Sequence, residues 1–138
     1  MDAKRLRRYV EKLAHAEDRL SRYESWRIGA LTDLRDRLAS YKALQEVAES
    51  MSDVAAMFAV DAKQTVKDDR MNFKLMAERR VFSANVAAQL AELSGLRNVL
   101  VHEYDGIDDA RAFASAAELV PGIRSAIEEV RAWLSKSG

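Results

Sequence analysis

Residues 95–106, GLRNVLVHEYDG, place four chemically capable side chains, Arg97, Asn98, His102 and Tyr104, in a stretch whose pattern otherwise calls for packing. Upstream, Val86, Leu90 and Leu93 recur at steps of four and three, and Leu100 continues the series. That periodicity is the mark of one helix face turned toward a core. Arg97 and Tyr104 hold the positions on this seam between and beyond the leucines. A guanidinium on an apolar seam is costly unless something offsets its charge. Its planar fork suits a carboxylate or a phosphate, gripping two oxygens at once. Two purely structural explanations stay open. The side chain extends outward to water, or it pairs with an internal carboxylate from Glu46, Glu49 and Asp53, which share one face of an upstream helix.

At about 100° per residue, Arg97 and Tyr104 fall on nearly the same side of a helix, and Asn98 and His102 share an adjacent one. Arg97 and His102 are then about 140° apart, so they converge only where the helix end loosens or a second chain contributes. A symmetric dimer packed on this seam would bring two copies together. Histidine takes and returns a proton near neutral pH, arginine neutralises charge that builds on phosphorus, and asparagine positions an oxygen or holds an imidazole tautomer. The chain has no cysteine and only two histidines, so a thiolate nucleophile is excluded and neither a metal nor another cofactor is expected. The set suits RNA cleavage by the substrate's own 2′-hydroxyl, leaving a 2′,3′-cyclic phosphate and a 5′-hydroxyl. Arg97 would stabilise the transition state, His102 would handle protons and Asn98 would support them.

The elements that must position these residues are helical. Alanine, leucine, arginine and glutamate dominate a chain of 138 residues with one proline and five glycines, a balance that favours helix over strand. A first helix is expected from about Asp2 to Tyr23, with Leu6, Val10, Leu13, Leu20 and Tyr23 on its inner face, and a break follows around Ser25, Trp26 and Gly29. A long second helix from about Leu31 to Val60 carries Leu31, Leu34, Leu38, Tyr41, Leu44, Val47, Met51, Val54 and Phe58 at three- or four-residue steps. Residues 61–71 read as a polar connection and 72–80 as a short helix. Ser83 reads as the N-cap of a helix over 84–102. The DGIDD turn at 105–109 offers Asp108 or Asp109 as the cap of a last helix to about Lys136, which Pro121 should kink or interrupt. The expectation is one domain over residues 1–138, an all-α up-and-down bundle of four to five helices.

Net charge is formally zero, so bulk electrostatics do not announce a nucleic-acid binder. Residues 1–42 nonetheless carry eleven Lys/Arg against seven Asp/Glu. Arg5, Arg7, Arg8 and Lys12 read as a solvated face. His15 reads as structural, Trp26 and Trp133 as packing groups, and Met51, Met57, Met71 and Met76 as core fillers. The N-terminus lacks a signal-peptide core and no apolar run approaches a membrane span, so a cytoplasmic protein with no membrane partner is expected.

RNVLVHEY, Arg97 to Tyr104, matches in full the R-x4-H-x-Y signature of the HepT-like branch of the HEPN superfamily, which the surrounding LSGLRNVLVHEYDGID also resembles. The resemblance extends with less specificity to residues 43–55 and 73–90. It implies a HEPN-type bundle that forms a homodimer, with the motifs lining a cleft between protomers. It implies a metal-independent endoribonuclease toxin of a toxin–antitoxin system, with structured RNA such as tRNA as its target. Its antitoxin would be an MNT-type nucleotidyltransferase that silences it by transferring AMP to Tyr104. The alternative function is a non-catalytic helical module that binds nucleotide or presents Tyr104 to a partner.

Overall fold

A computed structural model describes residues 1–102 and 106–137; the described residues form five α-helices and no strand. Helix α1 (Ala3–Trp26) begins where Asp2 accepts the Arg5 N–H at 2.7 Å. It buries Tyr9, Leu13, Ala16, Leu20 and Tyr23, again at steps of four and three. Val10, expected inside, is exposed, because the seam centres on Tyr9 and the next residue lies a quarter-turn away. A short 3-10 turn, Arg27–Gly29, leads to α2 (Leu34–Asp61), capped by Asp33.

Ion pairs fix how these helices run. Arg5 meets Asp61, Lys12 meets Asp53, and Arg19 meets Glu46, so α2 descends as α1 ascends. Extrapolating this register, the first turn of α2 overhangs the end of α1. That overhang explains a correction to the expected inward stripe: Leu31, Leu34 and Leu38 are 56–59% exposed, and continuous burial starts only near Ala43 and Leu44.

Helix α3 (Asp69–Glu78) starts three residues earlier than expected, because Asp68 caps it through the Met71 N–H. Phe73 and Met76 are buried, whereas Met71 is at the surface rather than in the core. Asn72 is buried and exchanges two 2.9 Å bonds with the Lys67 backbone, which locks the connection. Helices α2 and α3 end alike. Lys63 and Arg80 take left-handed conformations (φ 58° and 62°), and the next N–H groups reach back to Ala59 and Met76 at 2.9 and 3.0 Å. This is the usual closing motif of a helix with a cationic residue where glycine is preferred.

Ser83 accepts the Val86 N–H at 3.1 Å, the expected cap of α4 (Ala84–His102). Asp108 caps α5 (Asp109–Ser137). Of the kink or interruption expected at Pro121, the interruption does not occur, and the helix continues through it. Ala117, whose carbonyl loses its donor, and Pro121 are both exposed, so that carbonyl is on the water side of the helix. At Gly122 a Cβ would lie 1.8 Å from the Gln89 amide oxygen, so the Gln89 side chain of α4 lies over this glycine of α5 and would have to move aside for a larger residue. Glu17–Arg131 and Glu24–Arg124 set α5 antiparallel to α1, and Trp133 packs edge-on against Tyr9 and Phe58.

Arg80→Gly removes the steric cost of the left-handed backbone and should raise stability by up to about 1 kcal/mol, while Ser83→Ala should lower it by about 1 kcal/mol. Urea midpoints of the two variants check both signs.

Candidate active site

The motif ends α4. That helix stays regular through His102, so no loosening before that residue swings it toward Arg97. Val86, Leu90, Leu93 and Leu100 are buried as the seam predicted. Arg97, in line with them, is half-buried, and its Nε is shielded from water without a hydrogen-bond partner among the described residues. The three acids considered for it are engaged elsewhere. Glu46 takes His15 and Arg19, each at 3.3 Å, Asp53 takes Lys12 at 2.6 Å, and Glu49 accepts from Gln45 at 3.0 Å. Glu46 and Asp53 face α1, which explains why they cannot serve the α4 seam. The carboxylate explanation therefore falls for these three. His15 meets Glu46 across the α1–α2 contact.

An unpaired, shielded donor costs about 1–3 kcal/mol, and a leucine at the same place would contribute about 1.5–3 kcal/mol if fully buried. Both effects make Arg97 a poor choice for folding alone.

Asn98 and His102 lie on the outer side of α4, both exposed. The same side carries Ala84, Ala88 and Gly95, also exposed, with Ala91 between them. At Gly95 a Cβ would meet nothing within 4 Å. Nothing in its own chain requires a glycine there, although glycine costs a helix about 1 kcal/mol relative to alanine. The structure thus brings Asn98 and His102 onto one face and leaves Arg97 facing the core side of the same chain. Tyr104 lies outside the described residues.

On the Leu100 side, a groove of about 380 Å³ opens between the start of α2 and the start of α5. Its polar lining includes Tyr41, expected as part of the α2 stripe, and Arg37, Lys42 and Gln45, which the sequence pattern did not single out. The Tyr41 hydroxyl donates to Asp109, 68 residues away, and Arg37 lies 3.6 Å from the same carboxylate. Burial, and then the Asp109 contact, pushes the Tyr41 phenol above its ordinary range. No local spacing could disclose a site assembled from α2, α4 and α5. A larger cavity, about 590 Å³, opens at the other end of the bundle beside Arg5, Asp61 and Trp133. Two of its charges satisfy each other, since Arg5 donates to Asp61, which also accepts from the Tyr9 hydroxyl. Among the described residues no helix is long and apolar enough to cross a membrane.

Comparison with known proteins gives a consistent result. The sequence profile of the family described as Ribonuclease HepT-like matches residues 5–130. An Archaeoglobus fulgidus protein named "Putative RNase" is 29% identical over 132 residues, which span 96% of this chain and 97% of that protein. A second protein of that name and organism is 30% identical over 116 residues, 83% of this chain and 85% of its own. The Shewanella oneidensis HEPN toxin, tri-AMPylated and in complex with MNT antitoxin, superposes with a TM-score of 0.83 at 18% identity, covering 96% of this chain and 99% of that one. Bacillus subtilis YutE, a cytosolic protein of unknown function, gives 0.82 at 14% identity over 94% and 90%. At these identities the structures establish the HEPN-type helical fold.

Arg97→Leu should stabilise the isolated chain by about 1–2 kcal/mol, since it replaces an unpaired donor with an apolar group on a half-buried seam. Chemical denaturation measures this; a loss of stability would mean that the guanidinium is held by groups it needs.

Proposed function

This chain belongs to the Ribonuclease HepT-like family, and on that premise we propose that it is a metal-independent endoribonuclease toxin, silenced by an MNT-type nucleotidyltransferase. The observation that carries the reading is the half-buried Arg97, whose Nε has no partner among the described residues. A guanidinium so placed is free to take a phosphate through two parallel bonds. In the proposed reaction the 2′-hydroxyl of a ribose gives its proton to the His102 imidazole as its oxygen bonds phosphorus. The bond to the 5′-oxygen breaks, that oxygen takes a proton, and a 2′,3′-cyclic phosphate and a 5′-hydroxyl result. Arg97 stabilises the charge on the phosphorane, and Asn98, on the His102 face, orients the imidazole or the substrate. tRNA is the proposed target.

The same geometry supports a homodimer. Arg97 and His102 face different sides of a regular helix, so a site using both requires a second copy. The small outer side chains of α4 permit close approach of another helix, and exposed Gly95 is accounted for if one presses on it. AMP on Tyr104 would add a phosphodiester that competes with RNA for Arg97. The S. oneidensis toxin is itself tri-AMPylated in complex with MNT antitoxin.

Wild type incubated with total tRNA in excess EDTA should leave 2′,3′-cyclic phosphate ends, and Arg97→Ala or His102→Ala should lower the rate at least about 100-fold. No cleavage by wild type, or full cleavage by His102→Ala, would leave the non-catalytic partner module as the better reading. Intact mass after incubation with ATP, magnesium and the transferase should rise for wild type and stay fixed for Tyr104→Phe.

Sedimentation should find wild type dimeric and Gly95→Trp monomeric with cleavage lost. A monomer that cleaves RNA at the wild-type rate would refute the shared site.

A further inference from the structure

Six buried side-chain atoms among the described residues lack a hydrogen-bond partner: the Tyr23 and Ser40 hydroxyls, one carboxylate oxygen each of Glu24 and Glu129, Ser94 Oγ and Arg97 Nε. Arg97 Nε is the one nitrogen in this set, hence the one group that can only donate. Ser94 Oγ, three residues earlier on α4, is an oxygen that can accept. Three residues is a spacing at which helical side chains meet, with Cβ atoms about 5–6 Å apart. The other four offer no such match. Tyr23 and Glu24 are chain neighbours and point about 100° apart around α1, and Ser40 and Glu129 belong to different helices.

Ser94 is only 8% exposed, on a turn whose neighbours Leu90, Ala91 and Leu93 are buried and apolar. For folding alone an alanine would serve better there, with a higher helix propensity and no polar atom to bury. A serine inside a helix often donates to the carbonyl four residues back, but this hydroxyl has no partner at all among the described residues. The unmet oxygen thus stands one turn from the unmet guanidinium nitrogen. Their two costs cancel if the groups bond to each other. A long helical side chain leans back over the turn that precedes it, so a rotation of the Arg97 side chain brings Nε toward Ser94.

We propose that Ser94 is a positioning residue for Arg97: as a phosphate is gripped, the Arg97 Nε–H donates to Ser94 Oγ and fixes the guanidinium. That the phosphate is one of RNA rests on the ribonuclease reading above. Held at Nε, the guanidinium keeps Nη1 and Nη2 for the anion, the fork that takes two oxygens in parallel. The Ser94 proton turns to the Leu90 carbonyl. No proton changes owner in this rearrangement. Because the bond forms only with the anion, it lowers the barrier to cleavage and leaves the free fold unaided. Ser94 Oγ is itself shielded from water, so it acts through Arg97 and does not touch substrate.

The test compares the full-length wild type with Ser94→Ala, Ser94→Cys and Ser94→Thr. Cysteine nearly keeps the size of serine but accepts poorly, whereas threonine keeps the oxygen. On a tRNA transcript that wild type cleaves, Ser94→Ala and Ser94→Cys should lower kcat at least about 10-fold with KM little changed. Ser94→Thr should recover most of the rate. The urea midpoint of free Ser94→Ala should equal or exceed that of wild type, because the hydroxyl it removes is unpaired. Proton–nitrogen NMR follows the Arg97 Nε–H, assigned by its loss in Arg97→Lys. Added inorganic phosphate should shift this resonance and slow its exchange with water in wild type and Ser94→Thr, but not in Ser94→Ala or Ser94→Cys. Wild-type cleavage by Ser94→Ala, or a phosphate response that survives in it, overturns the proposal. So does a lowered urea midpoint for that variant, which would show the hydroxyl already held in the free chain. Wild type that cleaves no tRNA, yet shows a phosphate response that Ser94→Ala abolishes, removes the ribonuclease reading and leaves the positioning of Arg97 standing. Absence of both cleavage and response in wild type removes both.

Discussion

Among the described residues, one guanidinium on the core side of α4, that of Arg97, has no carboxylate partner. Every other half-buried arginine among the described residues has an answer within the chain: Arg5 has Asp61 and the Met57 carbonyl, Arg19 has Glu46, and Arg37 has Asp109 and the Ala30 carbonyl. Arg97 alone has a shielded Nε with no partner. A charge so placed works against folding, because its desolvation is not offset by a hydrogen bond. The same absence makes it ready for an anion arriving from outside. Stability given up at one seam position is thus the physical condition for the chemistry proposed there.

The scaffold makes this arrangement durable by spending its acids elsewhere. The α1–α2 contact is a ladder of ion pairs, with Glu46 and Asp53 turned toward α1 and away from α4. Most of these pairs are partly exposed, so each contributes little stability. They also fix the antiparallel register, and the register decides where α2 overhangs α1. The overhang leaves Leu31, Leu34 and Leu38 uncovered beside the end of α4. Packing at one end of the bundle therefore has consequences at the other.

Helix α4 is apolar on its inner side and small on its outer side, and it presents different chemistry in each direction. A helix with so little polar surface is normally covered all round. Inside the chain only part of it is covered, which is why its outer face reads as a place for another molecule.

The amino-acid order by itself determined the helical class, the cap at Ser83, the extent of α4, and the identity of the motif residues. These depend on short-range spacing and local hydrogen bonds, which a linear pattern carries in full. It also placed Arg97 on the seam with Val86, Leu90, Leu93 and Leu100, since a regular helix converts spacing into direction. Tertiary structure alone decided that Glu46 and Asp53 face α1, that Tyr9 rather than Val10 is inside, that Pro121 does not interrupt α5, and that the first leucines of the α2 stripe face solvent. Each of these outcomes depends on where a second helix begins, ends or passes. Periodicity says which residues share a face; only packing says whether anything lies against it.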